Sequence, residues 1–299
     1  MYFLAVPPKG YPAAGLFSMQ LKLFKTLWGH TGSVHDAISQ CAAIGWAGIE
    51  GPAPVDPNER KAFATALSDA GLEYVAEICT AGGYVPRRDA TIAEHLDTLK
   101  ELAERSAECA PLFITTMAGC DAWSLNESVD FFSASIEIAA EVGLPICFEI
   151  HRSRSMFNPW IARDILTRIP EMRITCDFSH WCVVCERLID TEMPIIELCA
   201  KRAGHIHARV GYDQGAQVPD PAAPEYRAAL EAHERWWTMI WEEQARRNVP
   251  YSTMTPEFGP DGYLQTLPYT GMPVADLLAV NRWIGERQRQ RFASWHKTA

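Results

Sequence analysis

The sequence has no excess of positive charge, no long apolar run and no segment that resembles a secretory signal. Its 299 residues carry a formal net charge of −10, which argues against a broad binding surface for nucleic acid or for anionic lipid. The first ten residues lack the charged start and long apolar middle of a signal peptide, and no run elsewhere is long enough to span a bilayer. We therefore expect a cytoplasmic protein that binds neither nucleic acid nor membranes.

The cysteines do not form the pattern of a disulfide framework. Nine of them are spread over the chain, and an odd count without a signal peptide predicts free, mostly buried thiols. Cys182 and Cys185 form a C-x-x-C sequence, but there is no second such pair to complete a zinc site. We interpret both as free thiols at the start of a helix.

A recurring pattern predicts alternation of helices and strands. Apolar segments of helical character end at Gly45, Gly71 and Gly143, and each is followed by a short strand-like run. Glycine adopts the left-handed conformation that ends a helix, so the next apolar residues can begin a strand. A hydrophobic content of 48% is enough for a large core.

The predicted elements alternate from one end of the chain to the other. Strands are expected near 18–24, 46–50, 73–79, 111–117, 144–150, 172–177, 204–209 and 251–257. Helices are expected near 33–43, 57–70, 89–108, 125–140, 158–168, 185–201, 224–247 and 272–292. Eight strands, each followed by a helix, predict a single (β/α)8 TIM barrel over residues 1–299, with a doubly wound open sheet as the alternative.

Two long loops interrupt this alternation. Residues 210–224 follow the seventh strand and residues 258–273 follow the eighth, and both segments are rich in proline and glycine. Loops on the carboxyl side of barrel strands carry the active sites of this fold. We expect the two loops to border the functional site.

Four side chains at successive strand ends are candidate metal ligands. The barrel would bring Glu149, Asp177, His207 and Glu257 to one mouth. Three carboxylates in an apolar mouth repel one another unless a cation neutralises them, so the set predicts one divalent metal ion. Oxygen ligands with one imidazole suit Mn²⁺ or Mg²⁺ best, and Co²⁺ or Zn²⁺ would also fit.

These residues resemble the metal and acid/base set of the xylose isomerase-like TIM barrels. The resemblance rests on Glu149, the run Asp177-Phe-Ser-His180, the pair His205-Ile-His207 and the late Glu257. That superfamily includes ketose 3-epimerases, sugar isomerases and dehydratases, and apurinic endonucleases. Similarity to the ketose 3-epimerases implies that Glu149, Asp177, His207 and Glu257 hold one metal ion. It also implies that Glu149 and Glu257 are catalytic and exchange a proton with the substrate carbon through a metal-stabilised enediolate.

Further side chains near these positions are candidates for substrate binding. The resemblance implies that His180 contacts a substrate oxygen. His151 and Arg152 follow Glu149 directly, and Arg209 lies two residues past His207; an arginine fork suits carboxylate or phosphate. Trp181 is a candidate wall of the pocket. We expect His205 to lie deeper in the barrel and to act as a hydrogen-bonding support of the site.

Two positions depart from the epimerase pattern. The family has a glutamate six residues beyond the first metal glutamate and an arginine six residues beyond the metal histidine. This chain has Ser155 and Asp213 there. The residues that grip the substrate therefore differ, and the pattern does not indicate a ketohexose.

The sequence thus favours a metal-dependent isomerase or epimerase of a small, sugar-like substrate, with a possible homo-oligomer. A lyase of the inosose or dehydroshikimate dehydratase type is the alternative, because it would use the same metal and enediolate. An apurinic endonuclease would need more histidines on strands two to four, where Gly48–Glu50, Ala76–Cys79 and Phe113–Met117 contain none. A metal-free barrel that binds a sugar or a protein is a further alternative.

Overall fold

The chain folds into a closed barrel of eight parallel strands, in the order β1 to β8. The computed structural model describes residues 19–260 and 262–297. The strands are β1 Gln20–Thr26, β2 Gly48–Gly51, β3 Glu73–Cys79, β4 Ile114–Met117, β5 Ile146–Glu149, β6 Arg173–Cys176, β7 Ala203–His207 and β8 Tyr251–Thr255. This confirms the (β/α)8 prediction. The predicted start of the first strand at residue 18, and the outer parts of the domain 1–299, lie outside the described residues.

Helices connect the strands around the outside of the barrel. They are α1 Val34–Ala43, α2 Pro57–Asp69, α3 Ile92–Ala107, α4 Leu125–Val142, α5 Pro159–Arg168, α6 Ser179–Val184, α7 Met193–Arg202, α8 Arg227–Arg246 and α9 Leu277–His296. None of the helices in the described ranges is both long and apolar enough to cross a bilayer.

The prediction of one helix over 185–201 was wrong. The chain forms the short helix α6 directly after β6, and a 3-10 turn at Asp190–Glu192 precedes α7. Glu186 has a positive φ of 51°, which ends α6 and breaks the helical path. Cys182 therefore lies inside α6 and Cys185 at its end, rather than at the start of a helix, and all nine cysteines are free thiols.

Local sequence explains where the helices begin and end. Ser33, Thr91 and Ser124 each form a capping box with an acidic residue three positions later, which satisfies amide groups that the first turn leaves unpaired. The predicted glycine stops are confirmed: Gly45, Gly71 and Gly143 have φ of 63°, 64° and 75°. Each such stop releases the chain into the next strand.

The barrel interior changes from apolar to polar along its axis. Phe24, Val75, Phe113 and Cys147 form a buried apolar cluster. Above this cluster the hydroxyl groups of Thr115 and Thr175 are hydrogen-bonded at 2.7 Å. Acidic and imidazole side chains occupy the carboxyl ends of the strands, so the apolar plug closes one end of the barrel and the polar groups lie at the other.

A register shift in β7 directs its histidines inward. Ala203 pairs with Ile174, but His205 pairs with Thr175, so Gly204 is the extra residue of a bulge. Side chains alternate along a strand, so His205 and His207 both point into the barrel with Thr175. The long connections predicted after the seventh and eighth strands begin after His207 and Thr255, at the same mouth.

Candidate metal centre

The four predicted metal ligands meet at the carboxyl end of the barrel. Glu149 ends β5, Asp177 follows β6, His207 ends β7 and Glu257 lies just past β8. One ligand atom from each lies within 4.8 Å of all the others. All four side chains are buried, so their mutual repulsion is poorly screened by water.

The ligand atoms converge on a common point, where His207 forms ion pairs with Glu149 and Glu257 that lack hydrogen-bond geometry. His207 Nδ1 lies 2.9 Å from Glu257 Oε2 and 3.5 Å from Glu149 Oε1, yet Nδ1 makes no hydrogen bond. Glu149 Oε2 and Glu257 Oε2 are likewise buried without a hydrogen-bond partner. A buried polar atom without a partner costs about 1–3 kcal/mol. Three carboxylates and one imidazole therefore fit a hard divalent cation, which would satisfy these atoms.

Burial shifts the protonation of these ligands. Desolvation raises the pKa of Glu149 to about 7 and raises the pKa of Asp177, although positive neighbours oppose both shifts. Desolvation acts to lower the pKa of His207, but the carboxylates of Glu257 and Glu50 outweigh it and raise that pKa well above its usual value. Without a cation, the site therefore retains protons that a metal ion would displace.

Glu50 holds the two histidines of β7 from the opposite side of the barrel. His207 Nε2 donates to Glu50 Oε1 at 2.7 Å, and His205 Nε2 lies 2.9 Å from Glu50 Oε2. His205 Nδ1 lies 2.8 Å from the Thr253 hydroxyl, and Thr255 donates to Glu50. The network leaves His207 Nδ1 facing the other three ligands. His205 lies deeper than His207, and both bond to the same carboxylate.

Arg209 compensates part of the negative charge. Its guanidinium pairs with Asp177 and lies 3.5 Å from Glu257 Oε2, while its Nε donates to the Ser179 hydroxyl at 3.1 Å. The same nitrogen that pairs with Asp177, Arg209 Nη2, also lies 2.7 Å from His180 Nε2. The guanidinium of Arg209 is thus engaged by other side chains of the protein, and it fixes the positions of Asp177 and His180.

Glu149, His151 and His180 form a second compact group, with ligand atoms within 4.8 Å of one another. The centroids of the His151 and His180 imidazole rings are 4.0 Å apart, and the two rings are tilted by 52° relative to each other. A second cation there would face the guanidinium of Arg209, which already contacts His180. Coulombic repulsion at such short range disfavours two cations.

A cavity of about 110 Å³ opens above the cluster. Glu149 and Glu257 line it together with His151 and Arg209. Trp28, Glu77, Cys79, Tyr84, Met117 and Tyr263 complete its walls. The cavity therefore combines ligands of the metal cluster with aromatic walls.

Three aromatic side chains come together at this cavity. The rings of Trp28 and Tyr263 meet edge to face at 5.0 Å, and Tyr84 lies 6.3 Å from Tyr263. The Trp28 indole packs so closely on Gly259 that a Cβ there would lie 2.2 Å from the ring. Only glycine permits this contact, which sets Trp28 beside the loop that carries Tyr263.

The remaining predicted substrate residues occupy different positions. His151 lies 3.4 Å from the Tyr263 hydroxyl, and the Arg152 guanidinium is 4.6 Å from the centre of the Tyr263 ring. Trp181 does not line the cavity. It is fully buried in the core, where it packs on Phe178 and donates its indole N–H to Met156 at 3.0 Å. A pocket-wall role for Trp181 therefore has no support in the geometry.

Buried Arg154 holds the loops beneath this wall. Its guanidinium donates to the carbonyl oxygens of Thr80 at 2.7 Å and Gly119 at 3.1 Å, and also to those of Gly83 and Tyr84. Burial lowers the pKa of Arg154 to about 10. The loops after β3 and β4 are thereby fixed to the loop after β5.

Sequence reasoning missed Glu50, Glu77 and Tyr263. Glu50 and Glu77 are carboxylates at inward-facing positions of otherwise apolar strands, and a charge in such a run was the available signal. Burial, with the nearby carboxylates, raises the pKa of Glu77 well above its usual value. Tyr263 lies in a long loop, so its approach to the mouth could not be read from spacing.

The two residues that depart from the epimerase pattern, Ser155 and Asp213, lie away from the cavity. Ser155 is buried, and its hydroxyl hydrogen-bonds with the backbone of Cys120 and with Ser128. Asp213 is exposed in the loop after β7. Neither side chain lines the cavity above the metal ligands.

Comparison with known proteins identifies the group to which the fold is related. Residues 38–243 match the family described as xylose isomerase-like TIM barrel. No curated protein matches the sequence. Solved structures with the same fold include sugar epimerases, a dehydratase and endonucleases.

Three of these structures illustrate the range of enzymes that share the fold. The 3-keto-D-glucoside 4-epimerase YcjR from E. coli is 15% identical, with a TM-score of 0.58 over 94% of this chain and 100% of that chain. The D-psicose 3-epimerase from Clostridium cellulolyticum H10 is 12% identical, with a TM-score of 0.60 over 94% and 99%. The probable 3-DHS dehydratase AsbF from Bacillus anthracis is 14% identical, with a TM-score of 0.54 over 82% and 95%.

Proposed function

Because this chain belongs to the xylose isomerase-like TIM barrel family, we propose that it is a metal-dependent isomerase or epimerase. Its substrate is a sugar or another polyhydroxy carbonyl compound. The observation that carries the proposal is the convergence, below a cavity, of ligand atoms from Glu149, His207 and Glu257 that make no hydrogen bond. A fold alone is compatible with many reactions, so the argument rests on this site.

Glu149, Asp177, His207 and Glu257 would hold one divalent cation, with Mn²⁺ or Mg²⁺ preferred by the oxygen-rich ligand set. When bound, such a cation supplies Lewis acidity for a substrate carbonyl and stabilises the negative charge of an enediolate. Asp177 is held by Arg209 and Ser179, and His207 is held by Glu50. The ligands are therefore oriented before a cation binds.

Glu149 and Glu257 are the proposed acid and base. Both line the cavity, and both have a buried carboxylate oxygen without a hydrogen-bond partner. One carboxylate removes a proton from the substrate carbon, and the other returns a proton to it or to its neighbour. Proton return to the opposite face gives the epimer, whereas return to the neighbouring carbon gives the isomer.

The other cavity residues would bind the substrate and exclude water. The aromatic side chains of Trp28, Tyr84 and Tyr263 offer surfaces for the apolar C–H faces of a sugar. The Glu77 side chain makes no hydrogen bond with the described residues and lines the same cavity. We assign Glu77 to the substrate hydroxyls, because a carboxyl group accepts hydrogen bonds from them and, when protonated, also donates one.

A lyase reaction is the second candidate. The Tyr263 hydroxyl lies 3.4 Å from His151 Nε2 at the cavity wall, and this pair could protonate a departing β-hydroxyl group. The same proton abstraction would then end in loss of water instead of reprotonation. The products distinguish the two reactions.

The test is proton exchange in D₂O. The Mn²⁺-loaded protein is incubated with a panel of ketoses, aldoses and inososes, and NMR detects deuterium incorporation, new epimers and dehydrated products. We expect exchange in the wild type, a loss of at least about 100-fold in Glu257→Gln, and full activity in Glu137→Gln, whose side chain is exposed on α4. Exchange at the wild-type rate in Glu257→Gln would remove that residue from the mechanism.

A further inference from the structure

A second cavity of about 180 Å³ lies outside the barrel, between β1 and the helices α1 and α9. It shares no lining residue with the cavity above the candidate metal ligands. Its apolar wall consists of Ala43, Ile44, Trp46, Pro256 and Leu278.

Lys25 faces this cavity. Phe24, its neighbour on β1, belongs to the apolar cluster inside the barrel, so Lys25 points outward. Only 9% of its surface is exposed, and its side-chain amine makes no hydrogen bond or ion pair with the described residues. Burial lowers the pKa of this amine. An ammonium group in such surroundings is costly without an anion beside it.

A second polar group beside Lys25 also lacks a partner. Gln40 Oε1 is buried without a hydrogen-bond partner. That oxygen only accepts hydrogen bonds, so an anionic ligand would bind the Gln40 NH₂ group after a 180° rotation of the amide, which exchanges the positions of its oxygen and nitrogen. The Asn281 side chain, by contrast, is hydrogen-bonded to the backbone of Phe258. Its Oδ1 accepts from the Phe258 N–H and its Nδ2 donates to the Phe258 carbonyl oxygen, each at 2.8 Å. The free polar groups of the inner wall are therefore Lys25 and Gln40.

The charged side chains that line this cavity are cationic. Arg282 is exposed at its rim, and no aspartate or glutamate is among the described residues that line it. The nearest carboxylate among the neighbouring cavity linings is Asp36, in an adjoining cavity that also contacts Lys25 and Gln40. Local positive charge attracts anions.

We propose that this cavity binds a small monocarboxylate with a short aliphatic chain. The carboxylate contacts Lys25 and the Gln40 amide, and the chain lies against Ile44, Trp46 and Leu278. One ammonium and one amide match a single carboxylate, whereas a phosphate dianion would need more donors. The apolar wall provides the burial that favours an aliphatic chain over a fully polar anion.

The test uses hexanoate as the probe and the Mn²⁺-loaded full chain. Acetate lacks the aliphatic chain and hexanol lacks the charge, so these two compounds are matched controls. Isothermal titration calorimetry measures the three affinities in the wild type and in Lys25→Met and Lys25→Arg. Methionine keeps the length of the side chain without its charge, and arginine keeps the charge.

We expect hexanoate to bind at least about tenfold more tightly than either control, and Lys25→Met to weaken it by at least about tenfold. Lys25→Arg should retain most of the affinity. No hexanoate binding up to about 10 mM would overturn the proposal. Equal binding of hexanol, or unchanged hexanoate affinity in Lys25→Met, would also overturn it.

Hexanoate could alternatively bind at the metal ion, and two results identify that case. Acetate would then bind as well as hexanoate, and Lys25→Met would have no effect. The Glu257→Gln variant provides the converse control, since it should bind hexanoate with wild-type affinity. Metal content and sugar turnover report on the proposed function separately, and Lys25→Met should leave both unchanged.

Discussion

Glu50 on β2 and His207 on β7 meet inside the barrel, where Glu50 Oε1 accepts a hydrogen bond from His207 Nε2 at 2.7 Å. The bond requires a proton on His207 Nε2, which donates it to the Glu50 carboxylate. The other ring nitrogen, Nδ1, then faces Glu149 and Glu257. Such a partner fixes both the tautomer and the ring orientation of a metal-binding histidine. Glu50 is therefore a positioning residue of the candidate metal centre.

We predict that Glu50→Ala lowers the affinity for Mn²⁺ by about 10–100-fold, because His207 loses its fixed orientation. Calorimetric titration of the metal-free protein measures the effect. Glu50→Gln is the matched variant: its amide oxygen can still accept from His207, so its affinity should lie closer to the wild type. Equal affinity in Glu50→Ala and the wild type, in a variant with an unchanged circular dichroism spectrum, would contradict the role of Glu50.

The convergence of the four candidate metal ligands was predictable from sequence, but the residues that support them were not. Glu149, Asp177, His207 and Glu257 each stand at a strand end, so strand periodicity and barrel closure were enough to bring them together. Glu50 belongs to the same site through hydrogen bonds with His205 and His207. A contact across the barrel depends on strand register, and short apolar strands do not reveal register without coordinates.

Loop residues were the least predictable part of the site. Trp181 follows His180 directly and looked like a pocket wall, but α6 turns its side chain into the core against Phe178. Tyr263, in the loop after β8, contributes to the cavity wall instead. Loop side chains lack the periodicity that identifies the inner face of a strand, so sequence could not choose between these two aromatic residues.

Metal binding should release protons. Burial raises the pKa of Glu149 to about 7, and nearby carboxylates raise the pKa of His207. The metal-free site therefore holds protons at neutral pH that the bound state cannot keep. Because the bound state has fewer protons, the affinity for Mn²⁺ should rise as pH increases from about 6 to 8. Calorimetry in buffers of different ionisation enthalpy measures proton release directly, and a pH-independent affinity would contradict this expectation.

Removal of the metal should lower both activity and stability. We expect EDTA to abolish turnover and to lower the unfolding temperature, because a ligand that binds only the folded chain stabilises it. Addition of excess Mn²⁺ or Mg²⁺ should restore both. The exposed-site variant Glu137→Gln should behave like the wild type. Full turnover after exhaustive chelation, with no metal detected by elemental analysis, would contradict the metal-dependent mechanism.

Substitution of Glu77 should weaken substrate binding and leave metal binding unchanged. Glu77 lines the cavity but is not one of the four converging ligands. We predict that Glu77→Gln changes the affinity for Mn²⁺ by less than about threefold, whereas Glu149→Gln lowers it by at least about tenfold. With an identified sugar substrate, Glu77→Gln should mainly raise KM, because the lost contact is made in the ground state. A loss of metal comparable to that of Glu149→Gln would instead make Glu77 a ligand.

Arg154 should contribute to stability through the loops that carry the cavity wall. Its guanidinium satisfies the carbonyl oxygens of Thr80, Gly83, Tyr84 and Gly119. Arg154→Met would leave several of these acceptors buried and unpaired, so we expect a loss of about 2–4 kcal/mol in the free energy of unfolding. Urea denaturation measures it. Arg168→Met is the control, since Arg168 is exposed and its guanidinium donates to Asn126, and its cost should stay within about 0.5 kcal/mol. Equal stability of the two variants would show that the loops hold their conformation without Arg154.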